Sequence, residues 1–187
     1  MKIHLIHGIH SSQPGGTVGK LEKYFDDYEV LVHNYGYALA LTARFLNPNR
    51  AEKISKVVDP DDVLVGHSNG CTIASMIEKK QPVQGLILIN AALDTDTEFK
   101  NSEWVDIYFN RGDEVVHWSK IFIAHPWGEM GKVGDGDKPH VTNIDCGPDT
   151  WGHSALFDDK NLPFWGPFIA GRVNDHNTRR IKSQTSG

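Results

Sequence analysis

Residues 62–71 read DVLVGHSNGC, from Asp62 to Cys71, an apolar segment that runs straight into a serine hemmed in by two glycines. Val63, Leu64 and Val65 predict a buried strand, while Ile73, Ala74 and Ile77 lie at helical spacing and predict a helix that stops before Pro82. The glycines at 66 and 70 let strand and helix approach closely, which places Ser68 in a tight, strained turn between them. The five residues Gly66-His67-Ser68-Asn69-Gly70 fit G-x-S-x-G. Chance produces such a match in about one chain in ten of this length, so the motif alone carries little. A strand leading in and a helix leading out are the context that gives it meaning.

Outward from this turn, short β-branched runs alternate with longer helical patterns. The expected strands are Lys2–His7, Glu29–His33, Val63–Gly66, Leu86–Asn90, Val105–Asn110 and Val141–Cys146. Near-continuous apolar runs such as LILIN (86–90) suit strands covered on both faces, as in a parallel sheet. Val18, Leu21, Tyr24 and Phe25 predict a helix with Thr17 as its cap. Ala51, Ile54 and Val57 predict another, capped by Asn47 and started by Pro48. The alternation implies an α/β chain, a three-layer α/β/α sandwich on a mostly parallel six-stranded sheet with right-handed crossovers. No internal repeat or low-complexity tract interrupts it. One domain is expected over residues 1–173, followed by a loose polar tail over 174–187.

Composition narrows the function classes. The 187 residues are 39% hydrophobic and 23% charged, as in globular proteins, and the formal net charge is −5. That charge argues against a basic nucleic-acid groove and leaves small neutral or apolar substrates open. The longest apolar run, GLILINAAL (85–93), is far too short to span a bilayer. The start, MKIHLIHG, lacks the apolar core of a signal peptide, so a cytoplasmic location is the default expectation. Cys71 and Cys146 are the only cysteines, too few for a disulfide framework or a paired-cysteine zinc site. Both are expected to be reduced and packed as small hydrophobes.

A serine hydroxyl is a weak nucleophile until a base takes its proton, and the base needs a third group to fix its tautomer. The strand WVDIYFN (104–110) ends in Arg111-Gly112-Asp113, and the last strand is followed by a loop that reaches His153. Ser68, Asp113 and His153 therefore follow the carboxyl ends of three strands, where open α/β sheets place their ligands. Asp94 and Asp96, after the preceding strand, are the alternative acids, with Asp145 and Asp149 as weaker ones.

IHGI (6–9), GHSNG (66–70), and RGDEVV (111–116) followed by GHS (152–154) together resemble the α/β-hydrolase family, over nearly everything from Lys2 to about Leu156. The resemblance implies sheet order 2-1-3-4-5-6 and a His-Gly after the first strand, His7-Gly8, that opens the oxyanion loop. It implies that the backbone N–H of Ile9, or of His10, joins that of Asn69 in holding the tetrahedral oxyanion. With the first expected strand at residue 2, the two leading antiparallel strands of larger members are not expected here. The link of about a dozen residues after LILIN leaves no room for a cap domain, so the chain is similar to small lidless lipases and esterases.

The expectation is a serine hydrolase that cleaves carboxylic esters of small molecules, short acyl chains favoured, with no cofactor. Ser68 attacks, His153 moves the proton and Asp113 orients His153. A thioesterase or amidase would use the same residues, and a non-catalytic binding protein on the same fold is the competing class.

Ten histidines make one beside a serine motif unsurprising. His4 and His7 alternate on the first strand and are read as structural. His10 and His67 flank the serine and, with Trp127 and Trp151 in later loops, are candidates for lining the site. GDGD (134–137) begins like a calcium loop, but the ligand series does not continue, so it is read as a turn.

Overall fold

The computed structural model describes residues 1–9, 16–35, 40–115, 128–136 and 138–185. Its strands are β1 (Lys2–Ile6), β2 (Glu29–His33), β3 (Val63–His67), β4 (Val83–Ile89), β5 (Ser102–Phe109) and β6 (Val141–Asp145). They form one sheet in the order β2-β1-β3-β4-β5-β6, with every neighbouring pair parallel. The helices are α1 (Ala40–Ser55), α2 (Asn69–Glu78), α3 (Met130–Val133) and α4 (Leu162–Thr185), with a 3-10 helix over Val18–Tyr24.

The register explains why the strands are apolar on both faces. One row across the sheet reads Leu31, His4, Leu64, Leu86, Val105 and Val141. Leu64, Leu86, Val105 and Val141 of this row pack with Ala51 and Ile54 of α1 and Ile73, Ala74 and Ile77 of α2. The next row reads Val32, Leu5, Val65, Ile87, Asp106 and Thr142, and its aliphatic members pack with Val18 and Leu21 of the 3-10 helix and Ile169 and Val173 of α4. Removing both faces from water is the main stabilising contribution, and it makes the chain a three-layer sandwich.

Each row holds one buried polar intruder, and each intruder has partners. Asp106 accepts two hydrogen bonds from Arg172, at 2.8 and 2.7 Å. His4 donates from Nε2 to Asp62 at 3.0 Å and accepts at Nδ1 from His33 at 2.8 Å. A buried charge without such partners would cost several kcal/mol.

Three local expectations are corrected. Thr17 does not cap the first helical segment, which is 3-10; its hydroxyl reaches His67 instead. Helix α1 begins at Ala40, not at Pro48, and keeps Pro48 in its interior. Its buried positions are Ala43, Asn47, Arg50, Ala51 and Ile54, a helical spacing that an apolar-only reading misses because two of them are polar. The segment from Asn174, expected to be loose, is the second half of α4 as far as Thr185. Its polar residues have partners: the His176 ring stacks on Trp104 at 4.0 Å, Arg180 pairs with Asp61 and Glu103, and Tyr28 donates to Asn174.

Candidate active site

Ser68 sits between β3 and α2 with φ 55° and ψ −123°, a conformation that L-residues other than glycine rarely adopt. The turn is held from both sides. Its N–H donates to the Ile89 carbonyl at 3.0 Å, and its carbonyl accepts from Cys71 N at 3.0 Å and Ala92 N at 3.3 Å. A Cβ at Gly66 would lie 2.7 Å from Cys71 N, and one at Gly70 would fall on the Ile6 carbonyl. Only glycine fits either place. Such local strain costs about 1–3 kcal/mol and persists where the surroundings over-determine it, as they do here.

The loops after β5 and β6 bring the other two residues to the serine. His153 Nε2 lies 2.7 Å from Ser68 Oγ, and His153 Nδ1 lies 3.0 and 2.8 Å from the two Asp113 oxygens. Asp113 is fully buried, so its carboxylate fixes the proton on Nδ1 and leaves Nε2 to accept from the serine. Asp94 and Asp96 are exposed in the link after β4. Asp145 is engaged by Arg111 at 3.0 Å. Of the candidate acids, the geometry joins Asp113 to His153.

Two asparagines at strand ends, Asn90 and Asn110, to which the sequence motifs assign no role, build this arrangement, and an Asn47–Asn69 pair adds to it. Asn90 follows β4 with φ 46° and donates from Nδ2 to Asp113 Oδ2 at 3.0 Å. Asn110 follows β5, accepts from Gly112 N at 2.8 Å and donates to the Thr150 carbonyl, tying the acid loop to the histidine loop. Asn47 of α1 and Asn69 exchange side-chain amide bonds at 2.7 and 3.1 Å. The signal available in the sequence was the polar residue that ends each apolar run, as in LILIN and WVDIYFN.

The lining candidates fare unevenly. His67 is buried, not lining: Nε2 donates to the His153 carbonyl at 2.9 Å and Nδ1 accepts from Thr17 Oγ1 at 2.9 Å. It props the backbone of the base from behind. Trp151 is 66% exposed and lies across Gly112 of the acid loop. His10 and Trp127 lie outside the described residues. Gly8 meets Ser68 directly, since a Cβ on it would stand 3.0 Å from Ser68 Cβ, and Ile9 follows it on the same segment.

Among the described residues, no group of three or more His, Cys, Asp or Glu side chains is placed to hold a metal ion. In the GDGD turn, Asp135 is taken up by Lys138 at 2.8 Å. Cys71 and Cys146 are free, buried thiols, and burial raises both, Cys146 to about 12. No helix among the described residues is long and apolar enough to cross a membrane.

Burial pushes the His67 imidazole down to about 3, helped by the neighbouring His153, and burial holds His33 at about 4. Both rings are neutral in the folded chain and protonate near 6.5 once unfolded. The unfolded state therefore binds more protons below that point. The stability these rings contribute is complete above about pH 6.5 and is lost as pH falls toward 4 for His33 and 3 for His67. The unfolding free energy measured in urea should drop between pH 7 and 4, by up to about 1.4 kcal/mol per pH unit for each ring. His67→Gln, which keeps a donor for the His153 carbonyl, should flatten that slope. An unchanged slope in this variant would remove His67 from the account.

No protein-family model matches the sequence, and no curated protein is similar to it. Solved structures are similar in fold. Alpha/beta hydrolase domain-containing protein 10 from mouse superposes with a TM-score of 0.66 at 12% identity, over 93% of this chain and 90% of that one. The chain has the α/β-hydrolase fold. A putative hydrolase of the alpha/beta superfamily from Xanthomonas campestris pv. campestris gives a TM-score of 0.57 at 15% identity, over 93% and 98% of the two chains. Esterase PE8 gives 0.51 at 14% identity, over 89% and 90%. The near-equal coverage fits a version of the fold whose link from β4 to β5, residues 90–101, contains no helix.

Proposed function

We propose that the chain is a serine hydrolase acting on carboxylic esters of small molecules. The observation that carries this reading is the hydrogen-bonded series Ser68–His153–Asp113 on a serine held at positive φ. Ser68 Oγ attacks the ester carbonyl while His153 Nε2 takes its proton. Asp113 stabilises the imidazolium that forms. The N–H groups of Ile9 and Asn69 hold the developing oxyanion, each worth about 3 kcal/mol at the transition state. Asn69 begins α2, so its N–H has no partner within the helix and shares the positive end of the helix dipole. His153 then gives its proton to the leaving alkoxide, leaving an acyl-Ser68 ester that water cleaves by the same steps. The similarity in fold to an esterase supports the choice of ester.

The link after β4 is short and helix-free and carries no cap domain, and a site without one favours short acyl chains over long ones. Rates on p-nitrophenyl esters from two to sixteen carbons should peak between about two and six carbons and show no jump at the micelle threshold. A clear optimum at long chains, or activation at an interface, would contradict the short-chain reading. Absence of turnover across the whole series would contradict the ester reading.

A further inference from the structure

The two halves of the proposed oxyanion hole are each braced by a polar side chain, one from α1 and one from beyond the end of β2. On one side Asn47 grips the Asn69 side chain in the paired amide contact. On the other stands Tyr35, just beyond the end of β2. Its hydroxyl donates to the His7 carbonyl and lies 3.3 Å from the Gly8 carbonyl, which also accepts from His7 Nδ1. No peptide bond among the described residues is cis, so each C=O points opposite to the N–H of the next residue. Two successive carbonyls turned toward Tyr35 therefore turn the N–H groups of Gly8 and Ile9 to the other side of the backbone. Successive N–H groups on one side form a concavity that favours negative charge. Among the described residues neither N–H has an acceptor.

We propose that Tyr35 is a positioning residue of the oxyanion hole, its hydroxyl holding the His7–Gly8–Ile9 backbone so that the Ile9 N–H faces the reacting carbonyl oxygen. The inference deepens the ester-hydrolase reading and rests on it. The phenol is itself clamped. The His7 ring stacks on one side at 4.0 Å, and the Arg50 guanidinium lies over the ring at 4.4 Å. Arg50 is 9% exposed, and its Nη1 has no hydrogen-bond partner among the described residues. Its charge therefore falls on the aromatic face, where a desolvated cation is worth most. It also makes the hydroxyl a better donor. Burial nonetheless raises the phenol, so the hydroxyl keeps its proton and remains a donor across the working pH range. Asn47 and Arg50, one helical turn apart, thus brace the Asn69 half and the Ile9 half of the hole from one element.

Tyr35→Phe keeps the ring and its stacking and removes only the hydroxyl. It should lower kcat on a short p-nitrophenyl ester by about 10–100-fold, less than deletion of a donor, and leave KM within about threefold. An ester and its thiono counterpart separate this role from a loss of fold, because a thiono sulfur gains little from hydrogen-bond donors placed for oxygen. The oxo-to-thiono rate ratio does not depend on how much protein is folded, and in Tyr35→Phe it should fall by a similar factor. Tyr28→Phe, which loses a hydroxyl bonded far away to Asn174, should keep the wild-type ratio. An unchanged kcat and ratio in Tyr35→Phe, with wild type active and labelled at Ser68, would overturn the inference alone. A lower kcat with an unchanged ratio would make Tyr35 a merely structural tie and overturn it as well. A wild type that neither cleaves esters nor labels at Ser68 would overturn both it and the reading beneath it.

Discussion

Ser68→Ala is expected to lower ester turnover by about five to six orders of magnitude while leaving the fold intact. The size follows from the role: without Oγ no acyl-enzyme forms, and only a slow attack by water assisted by the oxyanion donors remains. Stability should not fall with activity. Ser68 is held by its backbone, and the one side-chain hydrogen bond it loses is to His153. Alanine keeps the Cβ that rests against Gly8 and retains the strain of positive φ, so the thermal midpoint should stay within a few degrees. A fluorophosphonate should add to Ser68 and to no other serine in the native protein, and the variant should not label. Labelling at Ser11, Ser12 or Ser154 would place the nucleophile elsewhere. A folded wild type that resists the probe and all esters would favour a binding protein on this fold.

The sheet was legible because its information is one-dimensional. A buried parallel strand is a run of apolar residues, and LILIN or VLVGH can be read without knowing its neighbours. The serine turn was legible for a related reason, since two glycines and a serine at fixed spacing report a close approach that only glycine permits. What escaped was polar and long-range. Asn47, Arg50 and Tyr35 carry no motif, and their meaning comes from partners brought together by the fold: Asn69, the Tyr35 ring and the His7 carbonyl. His67 looked like a lining residue because it precedes the serine. Strand alternation instead turns it to the face opposite Leu64 and Gly66, toward Thr17 and the back of His153. The polar half of α4 read as loose because its partners, Asp61, Glu103, Trp104 and, through His176, Asp106, stand elsewhere in the chain.

Asp113→Asn should cost about four orders of magnitude in kcat, the second-largest effect expected of a single substitution here. The loss arises through the proton on His153. The carboxylate can only accept, so it requires the proton on Nδ1 and leaves Nε2 free to receive from Ser68. The amide that replaces it puts an NH₂ in place of one of the two oxygens, and Asn90, which donates to Oδ2 at 3.0 Å in the native chain, favours the amide oxygen at that position. Asn90 already offers its own NH₂, so it draws the oxygen of the new amide toward itself. The NH₂ then takes the Oδ1 position, 3.0 Å from His153 Nδ1. A second donor there opposes the proton on Nδ1 and favours the tautomer protonated on Nε2, which cannot take a proton from serine. Neither aspartate of the preceding link should matter comparably: Asp94→Asn and Asp96→Asn alter exposed side chains and should stay within about twofold of wild type. Asn90→Ala offers the sharper control. It removes a partner of the acid without touching the base, so it should lower kcat by about ten- to a hundredfold. In the variant that combines Asn90→Ala with Asp113→Asn, both changes act through the same carboxyl position, so the two losses should combine to less than their product. Multiplicative losses would show that Asn90 acts independently of the acid, and a larger loss at Asp94 or Asp96 than at Asp113 would move the acid to the link after β4.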